Sequence, residues 1–353
     1  MNKEHPTNWL GNKKIEVLFI LLPSFVSCFL VIFFTDYFSA NQALSNLWWI
    51  VLVLGIDVSH VYSTLFRTYF DKNKFNENRD LFVFTPTICL IVGIILYAIQ
   101  PLLFWRILAY LAVFHFMRQQ YGFMRLYSRN EPKNTIHSLL DKIVIYSAVV
   151  YPILFWHTQA DREFSWFIEG DFLIVYSPTI TRMLSYLYFL ILGFWLANTA
   201  FLLIKKQIWN TPKFLIITGT ILSWYIGIVA YNGDLVFTLL NVVSHGIPYI
   251  ALVWLFAKKE HQLNSSPILS NLGKPIGIII FIGVILTFAY LEEGLWDSLI
   301  WRERLSYFGV FNKLPPIQDT LLLNILVPLL SLPQATHYVL DAFIWKQKKP
   351  ETH

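Results

Sequence analysis

The chain has 353 residues, of which 56% are hydrophobic and only 14% charged, and this balance excludes an ordinary soluble domain of that length. The formal net charge of +5 does not indicate a nucleic-acid partner, because the 27 Lys and Arg are dispersed between apolar runs. The only two cysteines, Cys28 and Cys89, are too few for a disulfide framework or a CxxC metal site. We therefore expect a multi-pass integral membrane protein with no nucleic-acid partner.

Apolar stretches long enough to cross a bilayer predict an all-α bundle of about ten helices. In chain order they cover residues 15–37, 43–65, 81–100, 102–124, 143–158, 182–204, 213–231, 235–257, 275–291 and 319–345. The first lacks a clean Ala-x-Ala exit, so we expect an uncleaved anchor. No linker or change of composition divides the chain, and residues 1–353 are predicted to form a single integral-membrane domain.

The Lys and Arg residues between these helices predict which side of the membrane each loop faces. Most of the 27 fall in alternate loops and in the two terminal segments, and few fall in the intervening loops. Cytoplasmic loops carry the excess of Lys and Arg in membrane proteins. The pattern therefore predicts that both termini are cytoplasmic.

Four histidines lie inside four different apolar stretches, each with polar neighbours at helical spacing. They are His60, His115, His245 and His337, on predicted helices two, four, eight and ten. A ligating or ionisable group at membrane depth carries a large free-energy cost, so four such groups indicate a function. These four helices run in the same predicted direction, and each histidine lies roughly 10–20 Å before the first inner-side cation. We expect the histidines to share one layer as metal ligands.

The candidate catalytic groups share a helix face with these histidines. Asp57 and Asp341 each lie one turn from the histidine of their own helix, and Arg118 lies one turn after the histidine of helix four. Each carboxylate is expected to ligate the metal or to orient the histidine rings. The Arg118 guanidinium is expected to meet a polar group of the substrate.

Further polar groups on the same helix faces are candidate substrate contacts. Arg67 continues the polar face of helix two, Gln119 lies one turn after the histidine of helix four, and Asn241 lies one turn before that of helix eight. Pro248 and Pro333 are expected to bend helices eight and ten beside their histidines, because each proline leaves one backbone carbonyl without its usual donor. Both bends are expected to open space for a binding site beside the histidines.

The ligand types favour a particular metal. Neutral imidazole binds iron, zinc or copper, and facing helices of a bundle core can supply such ligands. A set of four histidines with one or two aspartates and no cysteine favours iron over structural zinc and leaves copper open. Haem held by two of the histidines is an alternative cofactor.

The chain resembles a group of bacterial polytopic membrane proteins in three segments: HVYSTLFRTYFD at 60–71, HFMRQQYG at 115–122 and HYVLDAFIWK at 337–346. The resemblance implies a multi-helix protein of the bacterial inner membrane and carries no activity. The chain is also similar to bacterial carotenoid-cleaving membrane dioxygenases in dispersing histidines over several helices, although their Trp-His-Ser-x-x-His segment is absent. The HxxxH boxes of membrane desaturases are absent too, since no two of the four histidines share a helix.

The leading prediction is a membrane-embedded, iron-dependent oxidoreductase or oxygenase whose substrate is a lipid, fatty acyl or isoprenoid compound from the bilayer. A proton- or solute-coupled transporter, with His and Asp as the relay, is the main alternative. A haem-b protein and a membrane acyltransferase are further alternatives. The structural alternative is that each histidine makes an ordinary interhelical hydrogen bond. The sequence leaves protein partners open.

Overall fold

The computed structural model of the protein describes residues 8–133, 135–159, 162–260, 272 and 274–345. Every regular element in these residues is a helix, which confirms the predicted all-α class. The outermost residues of both termini lie outside the described part of the chain. Their predicted cytoplasmic location therefore stays a prediction.

Nine helices in the described part are long and apolar enough to cross a membrane. They are α1 Lys13–Phe33, α2 Asn46–Arg67, α3 Arg79–Ile99, α4 Pro101–Tyr127, α5 Ile136–Thr158, α6 Pro178–Lys206, α7 Thr211–Ala230, α8 Asp234–Glu260 and α9 Gly277–Trp301. Each corresponds to one of the first nine predicted helices. The set is consistent with a multi-pass membrane protein.

The predicted tenth helix over 319–345 is wrong as a single element. It consists of two helices, α10 Thr320–Leu330 and α11 Leu332–Ile344, which meet at Ser331. Pro333 lies in the first turn of α11, where a backbone N–H has no partner within the helix, so the missing N–H of proline costs α11 no hydrogen bond. It does prevent the hydrogen bonds of α10 from continuing into α11. At 1.5 Å per residue the two helices are about 17 and 20 Å long, so neither crosses a bilayer alone.

Capping residues explain where several helices begin. The side chains of Thr135, Ser177, Asn210 and Asp319 each accept a hydrogen bond from a backbone N–H in the first turn of α5, α6, α7 and α10. Gln100 between α3 and α4 is extended, at φ −162° and ψ 119°, because the ring of the following proline disfavours helical backbone. This tight connection agrees with the sequence prediction.

Helix α2 departs from regular α-helical geometry. Residues Ile50–Val58 form a wider π-helical stretch, Ser59–Ser63 return to α-helix, and Thr64–Arg67 end the element as a tighter 3₁₀ turn. Such changes of pitch rotate side chains away from the positions that a period of 3.6 residues gives them. The polar face predicted along this helix therefore does not point in one direction throughout.

The chain forms two compact units. The first consists of Met1–Ser45 and Phe116–Ala251, and in it α5 packs against α6 and α7, while α7 packs against α1. The second consists of Asn46–His115 and Leu252–His353, and in it α2 packs against α9 and α11, while α3 packs against α10 and α11. The single domain predicted over 1–353 stays a prediction.

Candidate metal centre

The second unit brings three of the predicted ligands together. His60 on α2, His115 on α4 and His337 on α11 are each at most 2% exposed, and each offers a ring nitrogen within 4.8 Å of those of the other two. Nε2 of His337 lies 3.1 Å from Nε2 of His115. Three imidazoles that are far apart in sequence thus converge at one buried point.

The spacing of two of these nitrogens fits one metal ion. Two nitrogen ligands at 2.0–2.1 Å from the same ion are about 2.9–3.4 Å apart at octahedral or tetrahedral angles. The 3.1 Å between the Nε2 atoms of His337 and His115 falls within that range. The same distance also fits a hydrogen bond between one donor ring and one acceptor ring. Elemental analysis distinguishes the two.

Each of the three rings also has an oxygen atom beside its Nδ1. These distances are 2.7 Å from Thr64 Oγ1 to His337, 3.5 Å from Asp341 Oδ2 to His115, and 3.5 Å from Asp57 Oδ1 to His60. Metal-binding histidines commonly donate the N–H of their second nitrogen to a carboxylate or another oxygen, which fixes the ring and its tautomer. The arrangement leaves Nε2 of His115 and His337 directed at each other.

Helical spacing alone does not predict which histidine the Asp341 carboxylate faces. Asp341 lies one turn from His337 on the same helix, yet its Oδ2 faces His115 of a different helix. Its other oxygen accepts a hydrogen bond of 2.6 Å from the indole N–H of Trp345. The Asp341 carboxylate therefore has a fixed orientation, with one oxygen held and the other directed toward the cluster.

Two buried acids on α9 belong to the same unit and were missed by the sequence analysis. Glu292 accepts hydrogen bonds from the Tyr62 hydroxyl at 2.5 Å and from the Gln334 amide at 3.3 Å. Glu293 follows it in sequence and is buried as well. The predicted ninth helix ended at residue 291, immediately before this pair. The signal was available, because two adjacent acids directly continue an apolar run.

His245 belongs to the first unit and is also fully buried. Its ring stacks on Phe116 with a centroid distance of 3.6 Å and an angle of 9°. Its backbone carbonyl accepts a hydrogen bond of 3.0 Å from the side-chain amide of Gln119. All four predicted histidine ligands are therefore buried, and the structure gives this one an aromatic partner within its own unit.

The proline in α8 creates the acceptor that the sequence predicted. Pro248 has no N–H to offer the carbonyl of Ser244, and the Gln120 side chain donates to that carbonyl at 3.3 Å instead. Gln120 in turn accepts a hydrogen bond of 3.0 Å from Thr220. The amide of Asn241 bonds within its own helix, to the carbonyl of Phe237. Contact of Gln119 or Asn241 with a substrate stays a prediction.

The two arginines singled out by the sequence both have aromatic partners. Arg118, in the first unit, donates to the Tyr146 hydroxyl at 2.7 Å and lies over the ring of Tyr121. Arg67, in the second unit, lies 5.0 Å from the ring centroids of both Phe256 and Trp345. Guanidinium groups are attracted to aromatic faces, so these contacts help hold both side chains in place. Their catalytic and substrate-binding roles stay predictions.

No protein-family model matches the chain, and no curated protein or solved structure matches it either. The observed class is an all-helical protein with nine described helices able to cross a membrane and a buried histidine cluster able to hold a metal ion. Any activity therefore has to be inferred from the side chains of that cluster.

Proposed function

We propose that the protein is a membrane-embedded metalloenzyme in which His60, His115 and His337 hold one metal ion. The convergence of three buried imidazoles, with two Nε2 atoms 3.1 Å apart, carries this proposal. Buried polar groups destabilise a protein unless they are satisfied, and a bound cation satisfies several nitrogen lone pairs together. His245 is retained as a fourth ligand on the sequence argument alone.

Iron is the metal that this donor set favours. The candidate ligands are imidazoles with carboxylates beside them and contain no thiolate, a combination suited to iron, with copper and zinc as alternatives. Histidine-bound iron supplies redox chemistry, so the proposed reaction class is oxidation or oxygenation. The substrate class is a lipid, fatty acyl or isoprenoid compound, because the cluster belongs to helices that a bilayer would surround.

Residues around the cluster have separable tasks in this proposal. Thr64 bonds to Nδ1 of His337, and Asp341 lies beside Nδ1 of His115, which leaves Nε2 of both rings as the ligand atom. The Tyr62 hydroxyl donates a hydrogen bond to the Glu292 carboxylate at 2.5 Å, so the pair offers one hydroxyl donor and one carboxylate acceptor. This pair is the candidate proton donor and acceptor of the site.

Metal analysis of the purified protein and of single-histidine variants tests the proposal. We expect about one metal ion per chain, and a loss of most of it in His60→Ala, His115→Ala or His337→Ala, because hydrocarbon surroundings offer no replacement ligand. His137→Ala is the matched control, because that ring bonds Asn198 in the first unit and is not part of the cluster. His245→Ala tests the fourth ligand separately. Folded variants with unchanged metal content would contradict the proposal.

A haem group fits this cluster poorly. Two histidines that bind one haem iron lie on opposite faces of the porphyrin, with ring centroids about 6 Å apart. His60 and His115 have that separation, at 6.4 Å, but the ring of His337 lies 4.9 and 4.5 Å from them. The ring of His337 therefore takes up the space that the porphyrin would need.

A proton-coupled transporter is the second candidate. It is favoured by one observation, the two adjacent buried acids Glu292 and Glu293 on a helix able to cross a membrane. Metal-free protein that moves protons in liposomes, and loses this activity in Glu292→Gln, would support transport over catalysis. Metal-containing protein without proton flux would reject it.

A further inference from the structure

A cavity of about 420 Å³ lies beside the histidine cluster, within the second unit. Its wall includes residues of α2, α3, α9, α10 and α11, and most of these residues are apolar. None of the 14 lining residues is Asp, Glu, Lys or Arg. The volume lies in the range of small-molecule binding sites, and the lining suits an uncharged, apolar ligand.

One side of the cavity is formed by side chains on the outer surface of the unit. Phe288 on α9 is 38% exposed and Leu329 on α10 is 46% exposed. Apolar side chains on such helices face lipid in a membrane protein. A ligand would therefore enter the cavity from the hydrocarbon layer of the bilayer and not from water.

The cavity also reaches the candidate metal centre. His337 and Thr64 both line it, and these two side chains are joined through Nδ1 and Oγ1 at 2.7 Å. Tyr62 and Thr336 are among the few polar residues that line it. A molecule in the cavity thus meets apolar surface along most of its length and the imidazole of a proposed ligand at one place.

We propose that this cavity binds the hydrocarbon tail of an acyl lipid, which enters from the bilayer past Phe288 and Leu329 and extends to His337. At about 30 Å³ for each methylene, close to the volume of a water molecule, the cavity holds about 14 methylene groups. A carboxylate or phosphate head group would be buried without a cationic partner, so it stays outside. This inference rests on the proposed function and adds that the centre meets the chain of the substrate.

Photolabelling tests this assignment with a readout other than catalysis. The probe is palmitic acid with a diazirine within its chain, added to protein in lipid nanodiscs, and labelled sites are mapped by peptide mass spectrometry. We expect labels concentrated in residues 61–70 and 329–340. Leu329→Trp fills the entrance and should lower labelling of these segments by about tenfold, equivalent to roughly 1.4 kcal/mol.

The matched control is Leu322→Trp. Leu322 lies on the same helix two turns earlier, is 54% exposed and does not line the cavity, so labelling should stay unchanged. Phe288→Trp closes the entrance from α9 and serves as the second variant if Leu329→Trp does not fold. Labels spread evenly over exposed residues, or labelling that both entrance variants leave intact, would overturn the proposal. Competition by geranylgeraniol but not by oleic acid would replace the acyl chain with an isoprenoid.

Metal content measured on the same samples separates the two proposals. A protein that takes the label in the cavity but contains no metal rejects the metalloenzyme and leaves the chain-binding cavity standing. A metal-containing protein that shows no specific label rejects the cavity assignment alone. Both entrance variants should keep wild-type metal content, because neither Phe288 nor Leu329 is a proposed ligand.

Discussion

At the scale of single residues, the oxygens beside the imidazoles define the site more sharply than the histidines alone. A histidine can pack in a membrane protein as an ordinary hydrogen-bonding group. In this cluster Thr64, Asp57 and Asp341 each lie beside the Nδ1 of one ring, and two of the Nε2 atoms face each other. That pattern is typical of histidine rings that are oriented to bind a metal ion.

Replacing Asp341 by Asn should weaken metal binding without abolishing it. The amide keeps the size of the side chain and an oxygen to accept from Trp345, but removes the negative charge beside His115. The loss of such an orienting carboxylate typically lowers affinity or activity about 10–100-fold. Competitive metal titration measures the effect. Asp80→Asn, an exposed change on α3, is the control. Complete metal loss would instead make Asp341 a ligand, and unchanged affinity would remove it from the site.

At the scale of helices, departures from regular geometry position the cluster. His60 follows the π-helical stretch of α2, and His337 lies on the short helix α11 that begins after the break at Ser331. If residues 319–345 formed one straight helix, the His337 side chain would point in a different direction relative to α10. Proline and π-helical turns thus set the directions from which two of the proposed ligands enter the cluster.

Close packing of α3 against α10 gives a test at this scale. A Cβ added to Gly93 would lie 3.0 Å from Cβ of Pro328 and 3.4 Å from the Phe104 ring. Pro328 and the ring of Phe104 have little freedom to move away, so the clash should outweigh the gain in helix propensity, and Gly93→Ala should destabilise the protein by about 1–2 kcal/mol. Thermal unfolding followed by intrinsic fluorescence measures the change.

Gly283→Ala is the control for that substitution. Gly283 lies inside α9, and an added Cβ would meet nothing within 4 Å. Because alanine favours helix over glycine by about 1 kcal/mol, this variant should be as stable as the wild type or more so. A Gly93→Ala protein that is equally stable would show that α3 and α10 do not pack as tightly as the structure has them.

At the scale of the whole molecule, the nine apolar helices found in the described residues and the dispersed cations make a specific prediction of topology. Reporter fusions after Lys72 and Lys206 should report the cytoplasm, and a fusion near Trp301 should report the opposite side. The fusion site near Ala160 lies outside the described residues and is expected to be external as well. Alkaline phosphatase and fluorescent-protein fusions measure this directly. An external location of residues 125–142 would reverse part of the topology and place the four histidines on helices of mixed direction.

The sequence by itself determined the helical class, the positions of nine helices and the burial of all four histidines. These features can be predicted from runs of consecutive residues, because a helix with about 20 apolar side chains in a row is removed from water whichever neighbours it packs against. The freed carbonyl of Ser244 was also predictable, since a proline always removes the same backbone donor. The reaction class, the metal and the location in the membrane stay predictions.

Only the tertiary structure decided which groups meet. It paired Asp341 with His115, placed Thr64 beside His337, and added Glu292 with Tyr62 to the second unit. Helical spacing places side chains on one face of one helix, whereas contacts across helices depend on rotation, kinks and pitch, which distant residues set through packing. The cavity beside His337 arises for the same reason, because its volume is the space that five helices leave between them.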